Sequence, residues 1–262
     1  MKRYTEINAA TIDKWVEGGW CWGRPVSPED CAKARNGEWD VVLTPTRPVP
    51  KDWFSPLPGA KLLGLASGGG QQMPIFSILG ADCTVMDLSD KQLESERMVA
   101  AREGYDINIV KADMTLAFPF EDNTFDIIFH PVSNCYVEDV YHVWRECHRV
   151  LKPGGILLSG MDNGINYLFD EVDDELKQPL VVVNPLPYNP LKDPALMAKL
   201  DKEDDGIQFS HTFDEQIGGQ LKAGFIIVGA YEDYNFDPDY PPDSLAVLGI
   251  PTMWATKAIK PL

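Results

Sequence analysis

From Lys61 onward the chain alternates short apolar runs with amphipathic stretches. KLLGLA, DCTVMD, INIVKAD, FDIIFH and GILLSG are brief, apolar and bounded by turn residues, as strands buried on both faces should be. Between them, Ser89 followed by Gln92 makes a capping-box start for a helix running to about Arg102. Val137, Val140, Tyr141, Trp144, Cys147 and Leu151 recur at three- or four-residue spacing and predict an amphipathic helix over 136–150. Lys152-Pro153-Gly154-Gly155 stops that helix and turns the chain into the next strand. Such strand–helix alternation implies a parallel sheet with right-handed crossovers and helices on both faces. The predicted class is α/β.

The flanks break this rhythm. Residues 1–60 hold five of the seven tryptophans (Trp15, Trp20, Trp22, Trp39, Trp53) and are interrupted by prolines at 25, 28, 45, 48, 50, 56 and 58. The expectation is a short helix near 9–17, then irregular chain packed through its aromatics. Residues 163–209 contain Pro179, Pro185, Pro187, Pro190 and Pro194 and the acidic run DKEDD. They read as a long irregular insertion, the kind of excursion that forms lids, binding loops or flexible segments. Thr212 and Glu215 make a second capping box, for a helix to about Ala223. The strand Phe225–Tyr231, a proline-rich turn and a last strand near Thr252–Ile259 follow. The organisation expected is a Trp/Pro-rich N-terminal cap, 1–60, on a main α/β domain, 61–262, with 163–209 as its lid.

Composition narrows the partners. The 262 residues include 44% apolar residues, and 23 Lys+Arg against 40 Asp+Glu give 23 − 40 = −17 at pH 7. So acidic a chain repels a phosphate backbone unless basic side chains gather on one face. The longest basic cluster, Arg145–Arg149–Lys152, is interrupted by Glu146, so nucleic acid is not expected as a partner. No stretch approaches the ~20 apolar residues that cross a bilayer, and MKRYTEINAATIDKW lacks a signal peptide's apolar run. Five cysteines, an odd number without CxxC pairs, point to reduced thiols and a cytoplasmic protein. Oligomeric state leaves no mark in the pattern.

Doubly wound sheets bind ligands at the carboxyl ends of their strands. The first strand leads into Ala66-Ser67-Gly68-Gly69-Gly70-Gln71, a turn whose backbone N–H groups a ligand can approach closely. A dinucleotide fingerprint would need a further glycine at position 73, where Met73 stands. The second strand ends in Asp87, 87 − 70 = 17 residues after Gly70. A carboxylate there can accept from both hydroxyls of a ribose, or can serve as a turn residue favoured by the next helix's dipole. The third strand ends in Asp113-Met114, suited to an exocyclic amine and an apolar adenine face.

LLGLASGGG, VMDLS, KADM, FPFEDNTFDIIFH and RECHRVLKPGG occur in the order seen in class I S-adenosylmethionine-dependent methyltransferases. Residues 61–160 resemble that catalytic core, in its small-molecule-type, RVLKPGG-containing form, and GFIIVGAYED with MWATKAIK resembles its terminal antiparallel hairpin. The resemblance implies a Rossmann-like, doubly wound seven-stranded sheet, mostly parallel with an antiparallel last strand. It implies S-adenosyl-L-methionine as cofactor, lying across the tips of the first, second and fourth strands. By the same resemblance Ala66, Ser67, Gly68 and Gly70 face the methionyl part. Asp87 takes the ribose, Leu88 lies beside the adenine, and Asp113 and Met114 hold its edge. His130, which ends the fourth strand, lies beneath the methyl group. Two departures stand out: Gly64 occupies the place of the family's usual acid, and Ala66 that of a glycine.

The activity implied is direct in-line transfer of the methyl to a small-molecule acceptor, the protein aligning the reactants and excluding water. An oxygen or carbon nucleophile needs a general base. The histidine candidates are His130, His142, His148 and His211; His142 and His148 fall within the amphipathic helix, which favours a structural role, leaving His130 and His211. Cys135 and Tyr136 follow the fourth strand and are placed to line the same pocket, whereas Cys135, His142, Cys147 and His148 have no zinc-site spacing. His130-Pro131-Val132-Ser133 stands where amino-group DNA and protein methyltransferases carry Asn/Asp-Pro-Pro-aromatic. Two other readings stay open: a different nucleotide-using enzyme such as a dehydrogenase, and a catalytically silent methyltransferase fold that binds cofactor or protein.

Overall fold

The computed structural model describes residues 3–169, 179–203, 206–235 and 244–262. In chain order the helices are α1 (Tyr4–Glu17), α2 (Pro28–Arg35), α3 (Met73–Ile78), α4 (Asp90–Glu103), α5 (Val140–Val150), α6 (Pro194–Glu203), α7 (Gly219–Lys222) and α8 (Ser244–Val247). The strands are β1 (Lys61–Leu65), β2 (Asp82–Asp87), β3 (Asn108–Lys111), β4 (Phe125–His130), β5 (Leu151–Asp162), β6 (Ile226–Asp233) and β7 (Met253–Ile259). They form one seven-stranded sheet in the order β3-β2-β1-β4-β5-β7-β6. β1 to β5 run parallel, and β7 inserts antiparallel between β5 and β6. The strand order reverses at β1, which opens a crevice at the carboxyl ends of β1 and β4.

Successive strand residues feed two cores. Leu62, Val85, Ile127, Phe129 and Leu158 pack with α3, α4 and the N-terminal region on one face. Leu63, Leu65, Met86, Ile128 and Leu157 pack with α5 on the other. This two-sided burial explains the continuous apolar runs. The N-terminal region joins the first core through aromatic contacts: Trp39 meets Phe54, Phe54 meets Phe76, and Phe76 meets Phe129, with ring centroids 5.0–5.7 Å apart.

Several boundaries differ from the sequence expectation. The first helix begins at Tyr4, and a second, α2, follows where only irregular chain is expected. The amphipathic helix starts at Val140, not 136, because Asp139 caps it by accepting from Tyr141 N at 3.0 Å. Val137 nevertheless belongs to the same core, so the apolar spacing runs past the true start. Lys152-Pro153-Gly154-Gly155 is a bulge within β5, not a turn before it: Leu151 already pairs with Phe125, and Ile156 pairs with Ile127. Ser89 accepts from Gln92 N at 3.1 Å, but its own N–H goes to Asp87. Thr212 and Glu215 make a reciprocal capping box that opens into a π-helical turn, Asp214–Gly218. The insertion is not irregular throughout, since it carries α6. Residues 204–205 of its acidic run, and the proline-rich turn at 236–243, lie outside the described residues.

The five cysteines are free and buried. Of the basic cluster, Arg149 is paired with Glu146 and Asp122, and Lys152 with Asp126. Among the described residues, no helix is long and apolar enough to cross a membrane.

Candidate functional site

A cavity of about 890 Å³ opens at the tips of β1, β2, β4 and β5. One end is formed by the loop after β1, where Ala66, Ser67 and Gly68 line the wall. Ala66 takes a left-handed backbone with φ +46°, uncommon outside glycine. The Gly68 N–H donates to Asp87 Oδ2 at 3.0 Å, and a Cβ on Gly68 would fall 2.7 Å from Gln92 Cβ. Only glycine fits that approach, and the loop is pinned by its own amides: Ala66, Gly68, Gly69 and Gly70 N–H donate to Met86 O, Asp87 Oδ2, Gln92 O and Glu96 Oε1. Gly70 does not line the cavity; a Cβ there would meet Val99 at 2.8 Å, so this glycine lets the loop sit against α4.

Asp87, at the tip of β2, is half-buried and lines the cavity. Burial pushes its carboxyl above the usual range, opposed by the N–H groups of Ser89, Gly68 and Leu88. Two of its bonds are the Gly68 one and Ser89 N to Oδ1, at 3.0 Å. An ionised carboxylate has about four acceptor sites, so with these three N–H partners capacity remains for a ribose hydroxyl donor. Leu88, Asp113 and Met114 line the same end. Asp113 is already engaged by Thr115, at 2.9 Å from N and 2.6 Å from Oγ1, and by Arg3 at 3.4 Å.

Behind the loop stands an acid that sequence reading passed over. Glu96 on α4 is fully buried, and its Oε1 accepts from Gly70 N at 2.8 Å while Oε2 has no partner. Burial, reinforced by the charge of Asp87 and opposed by the Gly70 N–H, pushes its carboxyl up to about 8. The place of the family's usual acid is physically filled. A Cβ on Gly64 would run into Met73 Sδ and lie 2.9 Å from Met73 Cγ, and Met73 is fully buried. Ser67 Oγ, in the cavity wall, is buried without a partner.

His130 is fully buried and does not line the cavity. Its Nδ1 lies 3.0 Å from the Leu65 carbonyl and its Nε2 2.9 Å from Asn134 Oδ1. His211 Nε2 lies 3.1 Å from the Asn134 carbonyl, and His211 too is absent from the wall. Burial lowers both histidines below the usual range, opposed by their hydrogen bonds to Leu65, Asn134 and neighbouring groups. They form a polar brace behind the β4 tip, with Asn134 Nδ2 donating to Gln216 at 3.1 Å. His148, on α5, packs edge-on against Phe225 and does not line the cavity.

The other end of the cavity belongs to β5 and the flanking segments. Cys135 and Tyr136 line it, with Asp162, Asn166, Tyr167 and Gln208. Burial, with the Asp162 charge, pushes the Cys135 thiol up to about 12, so it is no thiolate. From the N-terminal region, Thr5, Asn8 and Trp15 of α1 and the strap Val42–Pro45 also reach the cavity. The strap is held by Val132 N donating to the Leu43 carbonyl at 3.1 Å, and Gly160 has no room for a Cβ beneath that carbonyl. Asp162 went unread because the predicted fifth strand stopped at Gly160; the strand-tip rule applied two residues further on finds it.

A doubly wound sheet with a glycine turn after β1 and a ribose-type acid after β2 defines a nucleoside-binding enzyme class. The comparisons narrow the class. The family described as "Methyltransferase domain" matches residues 63–159. The chain is 45% identical to the uncharacterized methyltransferase YbaJ of Bacillus subtilis, over 89% of this chain and 92% of that one. It is 37% identical to the ubiquinone/menaquinone biosynthesis C-methyltransferase UbiE of Cereibacter sphaeroides, over 41% of this chain and 44% of that one. A solved S-adenosylmethionine-dependent methyltransferase from Mesorhizobium loti superposes with TM-score 0.58 at 18% identity, covering 80% of this chain and 94% of that one. The chain belongs to the class I S-adenosylmethionine-dependent methyltransferases, and its cofactor is S-adenosyl-L-methionine.

Proposed function

We propose that the enzyme methylates a small molecule by direct in-line displacement. The observation that carries this reading is the cavity itself. Its volume of about 890 Å³ lies within the ~300–1,000 Å³ of small-molecule sites, and it extends from the glycine loop past β4 to the β5 tip. S-adenosyl-L-methionine brings a methyl group already activated on a sulfonium. The chain's own residues bind, align and dry the site. Asp87 accepts from a ribose hydroxyl, Leu88 and Met114 flank the adenine, and Asp113 stands at its edge. Ala66, Ser67 and Gly68 face the methionyl part, with the Ser67 hydroxyl the unpartnered group of that wall. Gly70 and His130 act from behind, the first by seating the loop on α4 and the second by bracing β1 to β4. The strap and α1, as part of an N-terminal cap over 1–60, and the described part of the insertion 163–209, through Asn166, Tyr167 and Gln208, form the acceptor's cover. The named relatives that match about two fifths of the chain include a C-methyltransferase of quinone biosynthesis, in keeping with a small acceptor.

Calorimetry with S-adenosylmethionine, on the wild type and on Asp87→Ala, tests the reading, with NAD as control. Loss of hydrogen bonds to the carboxylate should cost roughly 1.5–3 kcal/mol, about 10–150-fold in affinity. Equal affinity in the variant removes Asp87 from the site.

A further inference from the structure

The β5 tip supplies an acid that the cofactor does not use. Asp162 is 6% exposed; its carboxylate accepts from the Gly164 N–H and from Asn166 Nδ2, the latter at 2.7 Å. Those two donors occupy half of its roughly four acceptor sites. Asn166 Oδ1, the other end of the same amide, is buried without a partner. The Tyr167 hydroxyl does not serve them, since it donates to Gln208 Oε1 at 2.8 Å. Two neighbouring acceptor residues of the wall therefore call for a ligand group with more than one hydrogen, which an amine has and a hydroxyl lacks.

Sheet order places this pair on the reacting side. β5 lies beyond β4, on the opposite side of β1 from β2 and β3, whose tips carry Asp87 and Asp113. His130, the last residue of β4, pairs with Ser159, and Asp162 stands 162 − 159 = 3 residues further toward the crevice. The family match ends at residue 159, so this group lies just outside the matched segment.

Building on the methyltransferase reading, we propose that Asp162, seated by Asn166, binds and deprotonates the acceptor, and that the acceptor is a small amine. Asp162 takes a proton from the bound ammonium and frees the nitrogen lone pair. That pair forms the N–C bond as the methyl–sulfur bond breaks, and the sulfur leaves as a neutral thioether with the bonding electrons. Asp162 then returns its proton to solvent. The groups facing it are suited to this role. Cys135 and Tyr167 are both pushed above their usual ranges, by burial first, and stay neutral. Burial raises Asp162 to about 6, opposed by the Gly164 N–H and the Asn166 amide. It is thus ionised at neutral pH, and amine binding should fade as pH falls through about 6.

The test uses two probes built on S-adenosylhomocysteine, with nitrogen in place of sulfur and either a 2-aminoethyl or an isosteric propyl arm where the methyl would be. Calorimetry on the wild type at pH 7.5 should favour the aminoethyl probe by about 10–100-fold, the size of one charge-assisted hydrogen bond. Asp162→Asn, and wild type at pH 5, should lose that preference, while S-adenosylhomocysteine itself binds within about twofold of wild type. Equal binding of the two probes to wild type, or a preference that survives in Asp162→Asn, overturns the proposal. If Asp162→Asn does not fold, the wild-type pH series decides, and a preference constant from pH 5 to 8 overturns it. Failure of wild type to bind S-adenosylhomocysteine at all overturns the methyltransferase reading first, and this inference with it.

Discussion

Gly64 marks the clearest departure from the family pattern, and its cause can be tested by a double-mutant cycle. In Gly64→Ala the new Cβ would collide with Met73 Sδ and lie 2.9 and 3.0 Å from Met73 Cγ and Cε. Met73 is fully buried, so its side chain can yield only by disturbing the core. Overpacking of this kind costs about 1–3 kcal/mol, offset by the ~0.5–1 kcal/mol gained when a strand glycine becomes alanine. The net loss should be roughly 0–2.5 kcal/mol, or up to ~10 °C in Tm at 2–4 °C per kcal/mol. Met73→Ala alone opens a cavity and should cost about 2–5 kcal/mol. In that background the methyl at 64 has room, so Gly64→Ala should be neutral or stabilising. Urea unfolding of the four proteins then gives a coupling of about 1–3 kcal/mol. Should Gly64→Ala cost the same with and without Met73, Met73 is not what excludes a side chain at this place. Gly64→Asp by itself should fare worse than alanine, because a carboxylate would enter a filled apolar pocket.

Glu96 and Gly160 give two further tests. The carboxyl of Glu96 sits at about 8 in the fold against an ordinary 4.5, so the native state holds a proton that the unfolded chain releases. Native stability therefore falls by up to ~1.4 kcal/mol per pH unit as pH rises through that window. Glu96→Gln keeps the acceptor for Gly70 N but cannot ionise; melts should find it level with wild type near pH 5 and increasingly more stable toward pH 8. A difference independent of pH sinks this account. Gly160→Ala puts a Cβ against the Leu43 carbonyl, a backbone atom with no rotamer to yield. It should cost about 1–3 kcal/mol and weaken S-adenosylhomocysteine binding; unchanged affinity would separate the strap from the ligand site.

The parallel half of the sheet was legible because its strands are apolar on both faces and punctuated at both ends. Leu62 and Leu63 enter opposite cores, so no alternation dilutes the run. Prolines were the main source of misreading. Pro28 and Pro194 look like breakers, yet each begins a helix: Ser27 caps α2 by accepting from Asp30 N at 3.0 Å, and Asp193 caps α6 through Ala195 N at 2.9 Å. A proline's fixed φ and missing N–H suit the first turn, and only the residue before it tells starter from breaker. Lys152-Pro153-Gly154-Gly155 misled differently. Its turn chemistry is real, but Gly154 N and Gly155 O bond Lys260, the residue just after β7, so the bulge stays against the sheet. That partner is about a hundred residues away, and no local window contains it.

Cofactor and acceptor ends of the site were unequally readable for a physical reason. A nucleoside is met by a glycine turn and by acids at fixed strand tips, so its residues fall within short, ordered words such as LLGLASGGG and VMDLS. The end proposed for the acceptor has no such word. It is assembled from α1, the strap, the β5 tip and the insertion, joined by contacts such as Asn8 Nδ2 donating to the Ile207 carbonyl at 2.8 Å and Asn8 Oδ1 accepting from Ile207 N at 2.7 Å. Those two bonds tie the N-terminal helix to the end of the insertion across 199 positions. Neither segment can therefore shift alone, and the shape of the acceptor end is a joint property of both. Exchanging one segment with a relative should disrupt this wall, whereas exchanging both together should preserve it and carry acceptor choice along.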